Sequence, residues 1–391
     1  MSQSQSFNEH IQNELSRLAE AGNLRSLPHI QHEGNYVVAD GKHQLNLSSN
    51  DYLGLAANPS LAEEFLETVQ PGSLSFTSSS SRLLTGTFDA HEELEETLSL
   101  LFGTESALVF NCGYMANIGI LPAVSNKNTL ILADKLVHAS IIDGIRLCTG
   151  THIRFNHNDY VQLERLVAQN SEKHERIIIV TESVFSMDGD TADLQKLVQL
   201  KRQYPSVLLY VDEAHAVGIR GENGLGLAEE QDCIRDIDFL VGTFGKALAS
   251  AGAYVVCTKE MREYLVNKMR SFIFTTAMPP INARWTNFIL KKMPLLLRER
   301  AYLQKISSLL AQTIREKGYH CTSQSHIVPL IVGDSFRAKE LSETFRQNGF
   351  YALPVRPPTV PEGTSRIRFS LNAQLTEEDV NRLISLIPER Q

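Results

Sequence analysis

Phe239-Leu-Val-Gly-Thr243-Phe-Gly245-Lys246-Ala-Leu-Ala-Ser-Ala-Gly252 is the stretch on which the reading of the fold turns. An apolar run leads into a Gly-x-x-Gly-Lys turn, and small residues follow with no charged neighbour close to the lysine in sequence. A lysine among apolar and small neighbours loses hydration, which disfavours the ammonium and lowers its pKa. Only the neutral amine attacks a carbonyl, so such a lysine suits Schiff-base chemistry. The two glycines of the turn permit positive φ or close approach of the backbone to a ligand. Taken alone, the segment suits a surface loop with a solvated lysine equally well. The other strands of the chain must decide.

Working outward, the chain has 391 residues, enough for roughly two or three domains of ordinary size. With 42% hydrophobic and 21% charged residues, a soluble globular protein with a sizeable core is expected. The net charge is −8 with no basic block, which argues against nucleic acid as a partner. The opening Met1-Ser-Gln-Ser-Gln-Ser has neither a basic n-region nor an apolar h-region, and no apolar run is long enough to span a bilayer. Cys112, Cys148, Cys233, Cys257 and Cys321 are dispersed without a Cys-x-x-Cys pair, so they read as reduced thiols. A cytoplasmic protein is the expectation.

Residues 8–21 space Ile11, Leu15 and Leu18 along one helical face, and Gly22-Asn23 stops the helix ahead of Arg25. Residues 35–47 alternate like a hairpin turning at Asp40-Gly41. From about residue 50 strands and helices alternate. Strands are expected at 106–110, 129–133, 177–181, 207–211 and 238–241, and helices at 92–101, 115–121, 139–147, 160–168 and 191–203. Asp159 is placed to cap the helix at 160. This alternation predicts an α/β fold with a mostly parallel sheet covered on both faces. Ligands of such sheets sit at the carboxyl ends of the strands. A helical stretch over 281–317 leads to a second, smaller α/β unit: strand 327–332, helix 336–348, strands 351–355 and 365–371, helix 376–387. The expected division is an N-terminal helix and hairpin (1–49), a large domain (50–285) and a small C-terminal domain (286–391).

Polar residues gather where a site should be. The strand ending at Val211 continues into Asp212-Glu213-Ala214-His215, a carboxylate with a histidine three residues on. Asp-Glu-Ala-His is also a helicase box, but no Gly-x-x-x-x-Gly-Lys-Ser/Thr loop precedes it. The strand ending at Thr181 runs into Glu182-Ser-Val-Phe-Ser186, and the strand at 130–133 leads to His138-Ala-Ser140. Val241 delivers Thr243 and Lys246. The strand at 106–110, the turn Asn111-Cys-Gly113-Tyr114 and the helix behind it make an anion site, since free N–H groups and the helix dipole point at the turn. His152 and His157 are neighbours, but no spacing supplies three metal ligands, so no metal is expected. A lysine amine, a carboxylate partner for a pyridinium and a phosphate cradle together suit pyridoxal 5'-phosphate.

The order of these motifs resembles the α-oxoamine synthases. It comprises Asn-Asp-Tyr-Leu-Gly-Leu (50–55), Cys-Gly-Tyr-Met-Ala-Asn (112–117), His138-Ala-Ser, His157-Asn-Asp, Glu182-Ser-Val-Phe-Ser-Met-Asp-Gly-Asp190, Asp212-Glu-Ala-His215 and Thr243-Phe-Gly-Lys246. The resemblance implies the type I fold of pyridoxal-phosphate enzymes, with a large, mostly parallel seven-stranded sheet, a smaller C-terminal domain and a homodimer with shared active sites. It further implies decarboxylative condensation of an amino acid with an acyl thioester. Arg356-Pro-Pro-Thr359-Val-Pro-Glu-Gly-Thr-Ser-Arg366-Ile-Arg368, Ser271 to Pro280 and Pro329 to Asp334 resemble members that join L-alanine to a pimeloyl thioester in biotin biosynthesis, carried on CoA or an acyl carrier protein. Members that join glycine to acetyl-CoA are the nearest alternative, and a catalytically silent cofactor-binding protein is the non-enzymatic one.

By the same resemblance Lys246 is the Schiff-base lysine, Asp212 pairs with the pyridine nitrogen, and His138 stacks on the ring. His215 and Ser186 contact its phenolic-oxygen side. Gly113, Tyr114, Thr243 and Thr276 of a second subunit hold the phosphate. Arg368 and Asn50 clamp the amino-acid carboxylate, and Arg25, Arg356 and Thr359 receive the acyl substrate. Two departures stand out: Thr77-Ser-Ser-Ser-Ser-Arg82 replaces a turn usually rich in glycine, and Tyr114 stands where phenylalanine is common.

Overall fold

The computed structural model describes residues 6–70, 72 and 74–390. Seven strands form its central sheet: β1 (Ser106–Phe110), β2 (Thr129–Asp134), β3 (Thr151–Phe155), β4 (Arg176–Glu182), β5 (Val207–Asp212), β6 (Phe239–Thr243) and β7 (Ala253–Cys257). They lie in the order β1-β7-β6-β5-β4-β2-β3. β7 runs antiparallel to both its neighbours, and the remaining pairs are parallel. The inner parallel strands are mostly apolar because helices cover both faces. Ile177, Ile178 and Ile179 of β4 are all fully buried, each contributing about 1.5–3 kcal/mol of transfer free energy.

The five strands expected from sequence are present, with ends within two residues of those expected. Two strands gave no clear signal. Edge strand β3 (Thr-His-Ile-Arg-Phe) buries only Phe155, and β7 follows the lysine turn so closely that it reads as the turn's tail. The helix expected over 281–317 is in fact two, Pro280–Lys292 and Leu297–Glu316, separated by a 3-10 turn at Met293–Leu295. Pro294 has no N–H to give a continuous helix and its ring crowds the preceding turn. The strand expected at 351–355 is likewise split. Phe350–Tyr351 runs parallel to Lys42–Asn46, whereas Pro354–Val355 pairs with Ser365–Ser370 in a separate three-stranded sheet.

The N-terminal helix spans Phe7–Glu20 and opens with a Ser6/Glu9 capping box. The hairpin pairs Tyr36–Ala39 with Lys42–Asn46, and φ is positive at both Asp40 and Gly41, as a tight two-residue turn requires. Ile30–Glu33 adds a strand not foreseen, so the N-terminal segment and Phe350–Tyr351 share one four-stranded sheet. Asp159 accepts from Gln162 N at 2.9 Å, as expected, and Thr376 and Asp379 form a capping box at the start of the last helix.

Candidate active site

Four strands of the central sheet end on a polar residue: β2 on Asp134, β4 on Glu182, β5 on Asp212 and β6 on Thr243. Glu182 and Asp212 are register partners, as are Asp212 and Val241, so the carboxyl ends lie level. They form the floor of a cavity lined by Gly113, Tyr114, His138, Asp212, His215 and Lys246, together with Asn117, Ser140, Glu182, Ala214 and residues 241–243. It holds about 590 Å³, its open mouth included.

Lys246 is presented by the loop after β6, which folds on itself through Ser250 N to Phe244 O and Ala249 N to Lys246 O, both at 2.9 Å. The glycines play different parts from those expected. Gly242 makes room for Tyr254, whose ring a Cβ would approach to 2.4 Å, and Gly245 has ordinary surroundings. The positive φ falls instead on Gly252, where a Cβ would also meet Phe110 O at 2.9 Å.

Lys246 Nζ lies 2.8 Å from His215 Nε2. Burial pushes the amine down to about 8, against the pull of Asp212 and Glu182, while Arg368 helps to lower it. The sequence places no charge beside this lysine, yet folding brings two carboxylates near it, and desolvation still dominates. His215 is pushed well below its usual range by burial, then by the charges of Lys246 and Arg368, so it is neutral. His138 is also lowered by burial, although Asp212 opposes this.

Asp212 Oδ1 accepts from Ala214 N and Oδ2 from Asn117 Nδ2, both at 2.9 Å. Asn117 Nδ2 also reaches Ser140 Oγ at 2.9 Å, and Tyr210 donates to Asn117 Oδ1 at 2.5 Å. Ser140 Oγ in turn lies 2.7 Å from His138 Nδ1. The carboxylate and the histidine ring are thus held by one chain of side chains. His138 N donates to Glu182, whose carboxyl burial and Asp212 push well above the usual range. A proton on Glu182 avoids two adjacent buried anions.

Gly113 opens the helix Gly113–Val124, so its N–H and that of Tyr114 have no partner within the helix. A Cβ on Gly113 would stand 3.7 Å from Thr243. The Thr243 hydroxyl donates to Gly252 O at 2.9 Å and accepts from Gly245 N at 3.3 Å. These donors, the carboxylate and the lysine amine fit pyridoxal phosphate: an anion cradle, a partner for a ring N–H, and an amine of lowered pKa.

The other expected residues lie outside this lining. Asn50 and Arg368 meet at the Tyr52 hydroxyl, at 2.9 and 3.4 Å. Ser186 contributes its carbonyl, which accepts from Arg368 Nε at 2.5 Å. Arg25 donates to Thr359 Oγ1 at 3.0 Å across 334 residues, and Arg356 donates to Gly22 O nearby in sequence, so the three acyl-site candidates belong to one neighbourhood. Thr276 is exposed, with its carbonyl accepting from Asn111 at 2.8 Å.

Tyr52, Asn117, Ser140 and Glu182 received no role from the sequence, although each sits in a quoted motif. Two of them had a usable signal. Asn117 lies four residues after Gly113 on one helical face, and Glu182 closes a strand next to the one that Asp212 closes.

The family profile of aminotransferase class I and II matches residues 42–387. The chain belongs to that family. A protein of Glaesserella parasuis serovar 5 (strain SH0165) named putative 8-amino-7-oxononanoate synthase is 54% identical over 385 residues, covering 97% of this chain and 99% of the relative. The 8-amino-7-oxononanoate synthase of Haemophilus ducreyi is 53% identical over 380 residues, covering 95% and 98%. These relatives place the chain among the α-oxoamine synthases. Among solved structures, a serine palmitoyltransferase variant from S. paucimobilis with bound PLP-myriocin aldimine superposes with a TM-score of 0.87 at 28% identity, covering 97% of this chain and 96% of that one. The 8-amino-7-oxononanoate synthase of Francisella tularensis superposes with a TM-score of 0.73 at 26% identity, covering 88% and 96%. The type I fold expected from the motifs is therefore the fold of the chain.

Proposed function

We propose that this chain is a pyridoxal-phosphate-dependent acyltransferase that condenses L-alanine with a pimeloyl thioester to give 8-amino-7-oxononanoate, carbon dioxide and free thiol, a step of biotin biosynthesis. The observation that carries the reading is one cavity holding Lys246, with its amine lowered to about 8, and Asp212, with both carboxylate oxygens fixed by hydrogen bonds. When bound, the cofactor supplies an electron sink for negative charge at the amino acid's α-carbon.

Lys246 would hold the cofactor through its amine and serve as the base for the α-proton; an amine near 8 is deprotonated often enough near neutral pH to act as one. Asp212 keeps the cofactor's ring nitrogen protonated, and Asn117 and Ala214 N keep the carboxylate aimed. The N–H groups of Gly113 and Tyr114 receive the phosphate, and the Thr243 hydroxyl joins them by turning its proton from Gly252 O. His138, which lines the cavity, would cover one face of the ring and offer a hydrogen bond to the ketone of the product. His215 and Ser186 serve the phenolic-oxygen side. Arg368 and Asn50 bind the alanine carboxylate, Arg368 by its forked guanidinium. Arg25, Arg356 and Thr359 take the distal end of the acyl chain, where two guanidinium groups suit a second carboxylate.

The active unit in this reading is a homodimer, with Thr276 of a second copy completing the phosphate site. Exposed Phe76, Leu84 and Phe274 support it. They lie on segments tied together by Ala277 N to Ser80 O at 2.9 Å and Ile281 N to Ser75 O at 3.0 Å, an apolar surface a second copy would cover. Among the described residues no helix is long and apolar enough to cross a membrane. The test compares alanine with glycine, and pimeloyl with acetyl thioesters, by thiol release and product mass. Alanine with pimeloyl thioester should give the highest kcat/KM, on CoA or on acyl carrier protein. A preference for glycine with acetyl-CoA would overturn the substrate assignment.

A further inference from the structure

The Tyr52 hydroxyl is fully buried between three side chains: His215 Nδ1 at 2.7 Å, Asn50 Oδ1 at 2.9 Å and Arg368 NH2 at 3.4 Å. The opposite edge of the same imidazole, Nε2, faces Lys246 Nζ at 2.8 Å. A phenol has one proton to donate and two lone pairs to accept with, a guanidinium only donates, and an amide oxygen only accepts. The Tyr52 proton therefore goes to Asn50, Arg368 donates to the phenol oxygen, and His215 Nδ1 must donate to its remaining lone pair. A neutral imidazole with its hydrogen on Nδ1 has a bare Nε2. Burial keeps Tyr52 protonated by pushing it up, although Arg368 opposes this, and His215 is neutral as described above. His326 packs on the Tyr52 ring at 3.9 Å between centroids, and both its ring nitrogens lack a hydrogen-bond partner among the described residues, so it does not compete for the phenol.

We propose that Tyr52 is a positioning residue: oriented by Asn50, it fixes His215 in its Nδ1–H tautomer, and the bare Nε2 accepts a hydrogen bond from the Lys246 ammonium. The arrangement couples Asn50 and Arg368 to the protonation state of Lys246 through two hydrogen bonds. No covalent bond changes, and the proton exchanged by Lys246 goes to solvent or substrate. The proposal rests on the functional reading only for the use made of the coupling, namely that a substrate carboxylate at Asn50 and Arg368 adjusts the base that must act on it. The hydrogen-bond logic stands without it.

An ammonium can only donate to Nε2, whereas a neutral amine can also accept from it. Whatever stabilises the Nδ1–H tautomer therefore favours protonated Lys246, and removing Tyr52's hydroxyl favours the free amine. Charged and titratable groups facing Lys246 are Asp212 from the end of β5, Glu182 from the end of β4, Arg368 from Ser365–Ser370, His215 beyond β5 and His138 beyond β2. Tyr52→Phe changes none of these.

The test measures the pH dependence of acylation of Lys246 in the cofactor-free full-length chain, read by mass spectrometry of its peptide. Loss of a charge-assisted hydrogen bond predicts that Tyr52→Phe lowers the Lys246 midpoint by about one pH unit, a roughly tenfold change in the amine/ammonium ratio. Asn50→Ala frees the Tyr52 proton to point at Nδ1 and should move the midpoint the same way with every ring intact. An unchanged or raised midpoint in either variant that retains the wild-type circular dichroism spectrum overturns the proposal. Because the acylation profile needs no substrate, it is decided separately from whether alanine and a pimeloyl thioester react.

Discussion

His157 offers a test in which the direction and the size of an effect both come from geometry. Its ring bridges Asp134 Oδ1 at 2.9 Å and Asp190 Oδ2 at 2.6 Å, with the Asp134 side chain 1% exposed and that of His157 25% exposed. Burial alone would keep the ring neutral, but hydrogen bonds to the two carboxylates outweigh it and push the imidazole up to about 10. A pKa raised in the folded state gives stability that is fully present below the unfolded value, about 6.5, and is lost as pH rises through about 10. At about 1.4 kcal/mol per pH unit the whole shift would amount to roughly 4–5 kcal/mol. Halving it for the exposed part of the ring leaves about 2–3 kcal/mol. His157→Asn should therefore lower urea-unfolding stability by about 2–3 kcal/mol at pH near 6 and by less than about 1 kcal/mol at pH near 9.5. For a chain of this size that is a fall of about 2–4 °C in Tm at the lower pH. Asp134 lies four residues before His138 and Asp190 four after Ser186, so the variant should also bind cofactor more weakly. A stability gap that stays constant with pH, or widens toward alkaline pH, would refute the ion-pair argument.

Asp212→Ala removes the acceptor of Asn117 Nδ2 and Ala214 N and the partner of the cofactor's ring nitrogen. Turnover should fall at least about a hundredfold while cofactor still binds, since each 1.4 kcal/mol lost at the transition state costs about tenfold. Steady-state rates at saturating cofactor check this. Glu182 separates charge from shape: if its carboxyl is already protonated, Glu182→Gln keeps the acceptor for His138 N and should change kcat by less than about threefold. Glu182→Ala leaves that buried N–H unpaired, which costs about 1–3 kcal/mol. Equal losses in the two variants would mean that Glu182 acts as an anion.

Much of the site was legible because parallel sheets put their ligands at one end. Val207-Leu-Leu-Tyr-Val-Asp and Phe239-Leu-Val-Gly-Thr each announce a buried strand and name its final polar residue. The strand–glycine–helix sequence around Gly113 announced an anion cradle in the same way. What stayed hidden depended on contacts distant in sequence. Tyr52 meets His215 across 163 residues, and no local periodicity encodes such a pairing. Edge strand β3 has polar and charged residues on a solvent-facing edge, so it lacks the apolar signature of its neighbours. The residues after Tyr351 were read as one strand because two short extended pieces look the same as one until their partners are known. The charge around Lys246 was legible only in part: Asp212 was placed there from its strand end, whereas Glu182, from the strand beyond it, received no role.

The account depends most on Lys246 and Asp212 facing the same bound heterocycle, and borohydride reduction of the holoenzyme followed by peptide mapping tests this directly. The cofactor mass should appear on the peptide containing Lys246, and Lys246→Ala should yield a protein with neither the tag nor measurable turnover. A tag on a different lysine, or wild-type turnover in Lys246→Ala, would contradict the account.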